Sequence, residues 1–168
     1  MKSLSNHEIK AFFNGDINLI LYPDIKDIKN IQQLLGKYNR CVILYLTSQN
    51  YGHWCCIFLD NNSELHFFDS YGIMPDCELK FIDNDERTEL NQKVPYLSKL
   101  IIKSGYITNY NNYKFQKEDP NITSCGYHCI MRLCFSDLTD EQYKDLIYSF
   151  GSDADKTVVK FITPLISQ

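Results

Sequence analysis

Apolar residues recur along this chain in two rhythms, one helical and one strand-like, and the points where the rhythm changes divide the sequence into elements. Ile9, Phe12 and Phe13 fall at helical spacing behind Ser5 or Asn6, with Gly15 as a stop, so residues 5–14 read as a short capped helix. Leu19-Ile20-Leu21-Tyr22 is a short buried segment ending at Pro23, and Ile28, Ile31, Leu34 and Leu35 predict a helix over 27–37 with Gly36 near its end. The run Cys41-Val42-Ile43-Leu44-Tyr45-Leu46 is rich in strand formers and bounded by polar residues, as in a central strand. Residues 52–59 and 64–70 read as two more strands, and residues 73–89, mixing charges with scattered apolar positions, as a short helix and an exposed loop. Leu97, Leu100 and Ile101 predict a helix over 94–103 that stops near Gly105, and 106–115 alternates enough for an edge strand. From 125 to 135 the chain is apolar on nearly every side, as expected of a helix at the centre of a domain, with Pro120 and Asn121 turning into it and Thr123 or Ser124 as its cap. Thr139 with Gln142 is a capping-box pattern for a helix through Phe150, and 156–162 adds a last helix or strand.

The spacing of the two strands around Asp60-Asn61-Asn62-Ser63 can be tested against hairpin geometry, since residues opposite each other share a face of the sheet. A three-residue loop, Asp60 to Asn62, sets His53 opposite Asp69, Cys55 opposite Phe67 and Ile57 opposite Leu65. A two-residue loop would place Asp69 across from Trp54 and send His53 and Asp69 to opposite faces. The first register is the one in which the pair can meet.

Composition narrows the class. A chain of 168 residues that is 44% hydrophobic and 14% aromatic is most simply one domain, 1–168, with a core of its own. No stretch is long and apolar enough to cross a membrane, and no membrane partner is expected. A net charge of -4 gives no reason to expect nucleic acid as a main partner. Seven cysteines at scattered positions do not form a secreted disulfide framework, so a reducing intracellular compartment is expected. A structural zinc module would need paired ligands on turns; Cys125 and Cys129 lie four apart on one helix, and Cys55 and Cys56 point to opposite faces of a strand.

Chemistry gathers at the ends of elements. Cys125 opens the central helix, where unpaired backbone N–H groups and the helix dipole favour a thiolate. Gly126 beside it lets a backbone or a substrate come close. His53 opens one strand, Asp69 closes the next, and Gln116 precedes the turn into the helix. In cysteine acyl transfer Cys125 attacks a carbonyl, His53 holds the ion pair and protonates the leaving amine, and Asp69 fixes the imidazole tautomer. The Gln116 amide and the Cys125 N–H would donate to the oxyanion. His128 is a rival base three residues from Cys125, ranked second because no carboxylate is obviously placed to orient it.

Gly52-His53-Trp54, Phe67-Phe68-Asp69-Ser70-Tyr71-Gly72, Gln116 and Ser124-Cys125-Gly126, in that order, resemble the signature of the cysteine proteases that include the adenovirus maturation endopeptidase and the ubiquitin-like-protein (SUMO) proteases. The motifs cover residues 51 to about 135. The resemblance implies an α+β fold with a mixed central sheet packed against a central helix that starts at the nucleophile, the stated roles for Cys125, His53, Asp69 and Gln116, a cleft lined by Trp54, and no metal or organic cofactor. The interval from Gln116 to Cys125 is longer than in those proteases, so the loop 117–124 must fold compactly to bring the amide back.

The wording Phe67-Phe68-Asp69-Ser70-Tyr71-Gly72 and Cys125-Gly126-Tyr127-His128-Cys129 is most similar to the maturation proteases of virophages, large DNA viruses and related transposons. That implies a monomeric endopeptidase that processes capsid or other structural precursor proteins at small-residue, Gly-containing sites, in the host cytoplasm or viral factory and packaged in the virion. The alternative is a protease acting on the diglycine tail of ubiquitin-like modifiers. An activating peptide is a further partner to test. Its joining through a disulfide would fall to Cys77, since Cys41, Cys55, Cys56 and Cys134 lie in apolar runs. A binding module without catalysis would have lost the Cys or the His, and both are present.

Overall fold

The computed structural model describes residues 2–49 and 51–166. Five strands form one mixed sheet in sequential order: β1 (Asn18–Leu21), β2 (Arg40–Ser48), β3 (Tyr51–Leu59), β4 (Leu65–Phe68) and β5 (Thr108–Tyr110). The outer pairs β1–β2 and β4–β5 are parallel and the inner pairs antiparallel. Both faces are covered, which is why β2 and β3 read as continuous apolar runs and not as an alternation of apolar and polar. Val42, Leu44, Trp54, Cys56, Phe58 and Phe68 point to one side, where α1 (Asn6–Phe12), α5 (Cys125–Cys134), α6 (Asp140–Ser149) and α7 (Ala154–Ile166) pack. Cys41, Ile43, Tyr45, Cys55, Ile57 and Phe67 point to the other, against α2 (Ile31–Leu35) and α4 (Tyr96–Ser104). A short helix α3 (Asn84–Glu89) lies between β4 and α4.

Several elements are shorter than their apolar spacing predicts, and local polar side chains set the limits. The helix expected over 27–37 is confined to α2, because the Asn30 side chain accepts the Gln33 N–H at 2.8 Å and Ile28 is extended. Tyr22–Asp27 forms a separate 3-10 turn with Pro23 at its start. Ser5 with Glu8, and Thr139 with Gln142, close complete capping boxes on α1 and α6. Ser124 stands at the N-cap of α5 but makes no side-chain cap bond, a departure from the expected cap.

The β3–β4 register differs by two residues from the expected one. Cys56 pairs with Phe68, Ile57 with Phe67 and Leu59 with Leu65. The loop takes five residues, Asp60–Glu64, because Asp60 Oδ1 accepts the N–H of Asn62 (2.8 Å) and Glu64 (3.0 Å) and Ser63 turns with φ 60°. A shift of two keeps every side chain on its face, so His53 and Asp69 still share one. Extended past Phe68, this register puts Cys55 opposite Asp69 and His53 opposite Tyr71.

Glycine is demanded at one point of the β2–β3 ladder, where the register shifts between Leu46 and Ser48. A β-carbon on Gly52 would lie 1.8 Å from the Tyr45 carbonyl oxygen. His53 pairs with Tyr45 one position from Gly52 in this ladder, next to the bulge.

Candidate active site

Beyond Phe68 the strand gives way to a turn whose backbone is held by side chains. The Asn111 amide brackets Asp69, with its Oδ1 accepting the Asp69 N–H at 2.9 Å and its Nδ2 donating to the Asp69 carbonyl at 2.8 Å. The Asp69 carboxylate is thereby aimed at β3. Its Oδ1 accepts from His53 Nε2 at 3.1 Å and from the Tyr71 N–H at 2.7 Å, and its Oδ2 from the Cys55 thiol at 3.2 Å. A carboxylate only accepts, so Nε2 carries the proton and Nδ1 is left for another partner. Tyr71 stacks on the ring at 4.8 Å between centroids, and Cys125 lines the same cleft as His53. The structure thus joins His53 to Asp69 and sets Cys125 in the same cleft as His53.

Electrostatics favour a charged imidazole. Burial works against it, but the Asp69 charge beside the ring and the hydrogen bond to Asp69 hold His53 well above its ordinary value. Cys55 is the other thiol of the cluster. It is fully buried, and burial together with the Asp69 charge pushes it well above the ordinary thiol range, so it stays a neutral donor to Asp69. His53, Cys55 and Asp69 bring metal-ligand atom types within 4.8 Å, yet these atoms are committed to one another; Asp60, Glu64 and His66 form a second such group at the far end of the hairpin. Of the two thiols near His53, only Cys125 opens on the cleft.

That cleft has a volume of about 1310 Å³. Its floor holds His53, Cys125 and Gln116, one wall is the N-terminal segment from Lys2 to Glu8, and Tyr71, Glu78 and Phe81 line another side. Trp54 also lines it and donates its indole N–H to the Leu4 carbonyl at 3.2 Å. Gly126 is not among the lining residues. Its α-carbon faces the base of the wall, where a β-carbon would lie 3.1 Å from Leu4 Cβ and 3.3 Å from Trp54 Cδ1.

Gln116 is drawn to the site by the residue after Asp69. The Ser70 carbonyl accepts the Gln116 N–H at 2.9 Å, and the Ser70 hydroxyl donates to Gln116 Oε1 at 2.7 Å. On the loop side the Ile122 carbonyl, which can only accept, takes a hydrogen bond from Nε2 at 3.1 Å and so fixes the orientation of the amide. Nε2 has two hydrogens, and this bond uses one.

The long interval from Gln116 to Cys125 is folded up by a residue that the spacing of motifs does not reveal. Asp155, buried on α7, accepts the Lys117 N–H at 3.1 Å, the Ser124 hydroxyl at 2.5 Å and His128 Nε2 at 3.0 Å. Both ends of the loop are therefore pinned to one carboxylate. His128 does have a carboxylate partner, contrary to expectation. It is nevertheless fully buried, does not line the cleft, and burial holds its imidazole below the ordinary value. Asp155, Asn111, Tyr71 and Glu78 are the site residues that sequence reasoning misses. Only Tyr71, adjacent to the Asp-Ser motif, had a local signal.

The cysteines also correct one expectation. Cys77 is half-buried and Cys134 is the exposed thiol, because α5 ends there at the protein surface.

Set beside known proteins, the chain is 38% identical over 145 residues to the uncharacterized protein V9 of the Sputnik virophage, covering 86% of this chain and 83% of that protein. The chain belongs to the family of that virophage protein. No protein-family model matches it. The fold is also that of the ASFV pS273R protease, with a TM-score of 0.53 at 17% identity over 97% of this chain and 67% of that one. A looser likeness, at a TM-score of 0.46 and 14% identity, extends over the whole of the central domain of an uncharacterized Legionella pneumophila protein.

Proposed function

We propose that the chain is a cysteine endopeptidase that processes viral capsid or other structural precursor proteins at small-residue, Gly-containing sites. The observation that supports the reading is that His53 and Cys125 line one cleft, with Nε2 of His53 bound to the Asp69 carboxylate at 3.1 Å. The kinship with a virophage protein and the fold shared with a viral protease support the setting. Cys125 gives its proton to His53 Nδ1, and the thiolate attacks the scissile carbonyl carbon. The carbonyl electrons move onto oxygen, facing the Cys125 N–H and the unused Gln116 N–H. The tetrahedral species collapses as His53 returns the proton to the leaving amine, giving a thioester and a free N-terminus. Water, deprotonated by His53, then releases the acid and restores the thiol. Asp69 keeps the ring in one tautomer throughout. Trp54 and the N-terminal segment line the same cleft as Cys125 and are proposed to contact the residues flanking the cut. A reducing compartment is proposed for the enzyme, since the chemistry needs Cys125 as a free thiol.

The test is to incubate the chain and Cys125→Ala with a peptide library rich in internal Gly-Gly and Gly-Ala bonds and with a panel of C-terminally extended ubiquitin-like proteins. Cleavage of the peptides alone, lost in the variant, supports the maturation protease; cleavage of the extended modifiers alone moves the substrate to that class. If neither is cut and a thiol-reactive probe fails to label Cys125 in a His53-dependent way, the cysteine protease reading is wrong.

A further inference from the structure

The loop after Asp69 brings a second carboxyl into the site. Glu78 lies in the 3-10 turn Cys77–Phe81. That turn is fixed by Asp76, which takes the left-handed conformation at φ 65° and is bonded on every polar side. Its Oδ1 accepts the Tyr45 hydroxyl at 2.9 Å, its Oδ2 accepts the Ser98 N–H at 2.7 Å, and its own N–H donates to the Tyr45 oxygen at 3.1 Å. A hook anchored at three points thus delivers Glu78, two residues on, to the cleft.

There its Oε1 comes within 3.6 Å of His53 Nε2, the nitrogen that already donates to Asp69 Oδ1 at 3.1 Å. Oε1 is shielded from solvent and has no hydrogen-bond partner, and the residue is only 9% exposed. An unpartnered carboxyl in such a place is costly and cements nothing. Its one distinctive relation is to the imidazole.

We infer that Glu78 is a positioning residue for His53, a second carboxyl that shares the Nε2 edge of the ring with Asp69 and sets, by its charge, how firmly the imidazole holds its proton. This rests on the reading of Cys125 and His53 as the reacting pair. Around Glu78 stand His53 and Cys55 from β3 and Asp69 and Tyr71 from the turn after β4, and Cys125 from α5 lines the same cleft. While Glu78 is protonated, a single negative charge, that of Asp69, faces the ring. Once it ionises, two charges face the ring, the imidazolium is held more tightly and the thiolate is more abundant. The same imidazolium is then a weaker acid toward the leaving amine. Burial, more than the Asp69 charge, pushes Glu78 up to about 7 against the pull of His53, so the change falls in the neutral range.

The experiment follows the alkylation rate of Cys125 by iodoacetamide from pH 5 to 9, read on the Cys125 peptide by mass spectrometry, in the wild-type chain, Glu78→Gln and Glu78→Ala. The wild-type chain is expected to show an inflection near pH 7, with the rate rising several-fold across it. Glu78→Gln removes that inflection while leaving Cys125 fast relative to the other thiols, and Glu78→Ala does the same, so that a defect of one substitution cannot mimic the effect. A wild-type profile superimposable on either folded variant overturns the role of Glu78 alone. A Cys125 no faster than exposed Cys134 in the wild-type chain overturns the ion-pair reading beneath it and this inference with it.

Discussion

Removing the Asp155 carboxylate should destabilise the protein far more than an ordinary charge deletion, because three donors converge on it. Ser124 Oγ, His128 Nε2 and the Lys117 N–H lie 2.5, 3.0 and 3.1 Å from its oxygens. Each buried donor stranded without an acceptor costs about 1–3 kcal/mol, so at roughly 1.5 kcal/mol apiece Asp155→Ala loses about 4–5 kcal/mol. That is a large part of the 5–15 kcal/mol that holds a typical domain together. Asp155→Asn keeps one accepting oxygen but turns an NH₂ toward a donor, and should lose about 2 kcal/mol. Urea unfolding of the three proteins measures this directly. The pH dependence follows from the same contacts. Burial opposes ionisation of Asp155, but the bonds from His128, Ser124 and Lys117 hold its carboxyl below the ordinary 3.8. The stability it contributes is therefore present above the unfolded value and drains away as pH falls through the lower folded one. His128 is held below its ordinary 6.5 by burial, against the pull of Asp155. The unfolded chain takes up that proton first, so stability already begins to fall as pH drops below about 6.5. Wild type should lose stability in two stages on acidification, and the lower stage should be missing from Asp155→Asn. A loss under 1 kcal/mol for Asp155→Ala at neutral pH would refute the reasoning, leaving Asp155 as a helix-end charge worth a few tenths.

Two further outcomes test the geometry elsewhere. In the proposed enzyme, Gln116→Ala should lower kcat by about 10²–10³ with KM little changed, as expected for a donor that acts on the oxyanion; an equal rise in KM at constant kcat would assign it to substrate binding instead. Gly52→Ala forces a β-carbon to within 1.8 Å of the Tyr45 carbonyl and must open the β2–β3 bulge. Its unfolding midpoint should drop by several kcal/mol equivalents, well beyond the roughly 1 kcal/mol typical of a point substitution, and a midpoint near wild type would mean that the bulge is not fixed.

What the sequence determined by itself was local or periodic. The cap at Ser5 and the capping box at Thr139 lie within four residues of chain, and the alternation of Val42, Leu44 and Leu46 with Ile43 and Tyr45 fits a sheet buried on both faces. Parity along β3 and β4 sufficed to put His53 and Asp69 on one face even though the register was off by two, because a shift of two residues preserves faces. The loop length itself was not legible, since it is set by one Asp60 oxygen bonding two N–H groups, which residue type alone does not specify. Only the tertiary structure could bring Asp155 to the loop 117–124 across a separation of more than thirty residues, or turn Glu78 toward His53 by way of an aspartate hooked on Tyr45. Such contacts have no period and no fixed spacing. They depend on how whole helices pack on the sheet, and a single buried polar atom finds its partner only once that packing is complete.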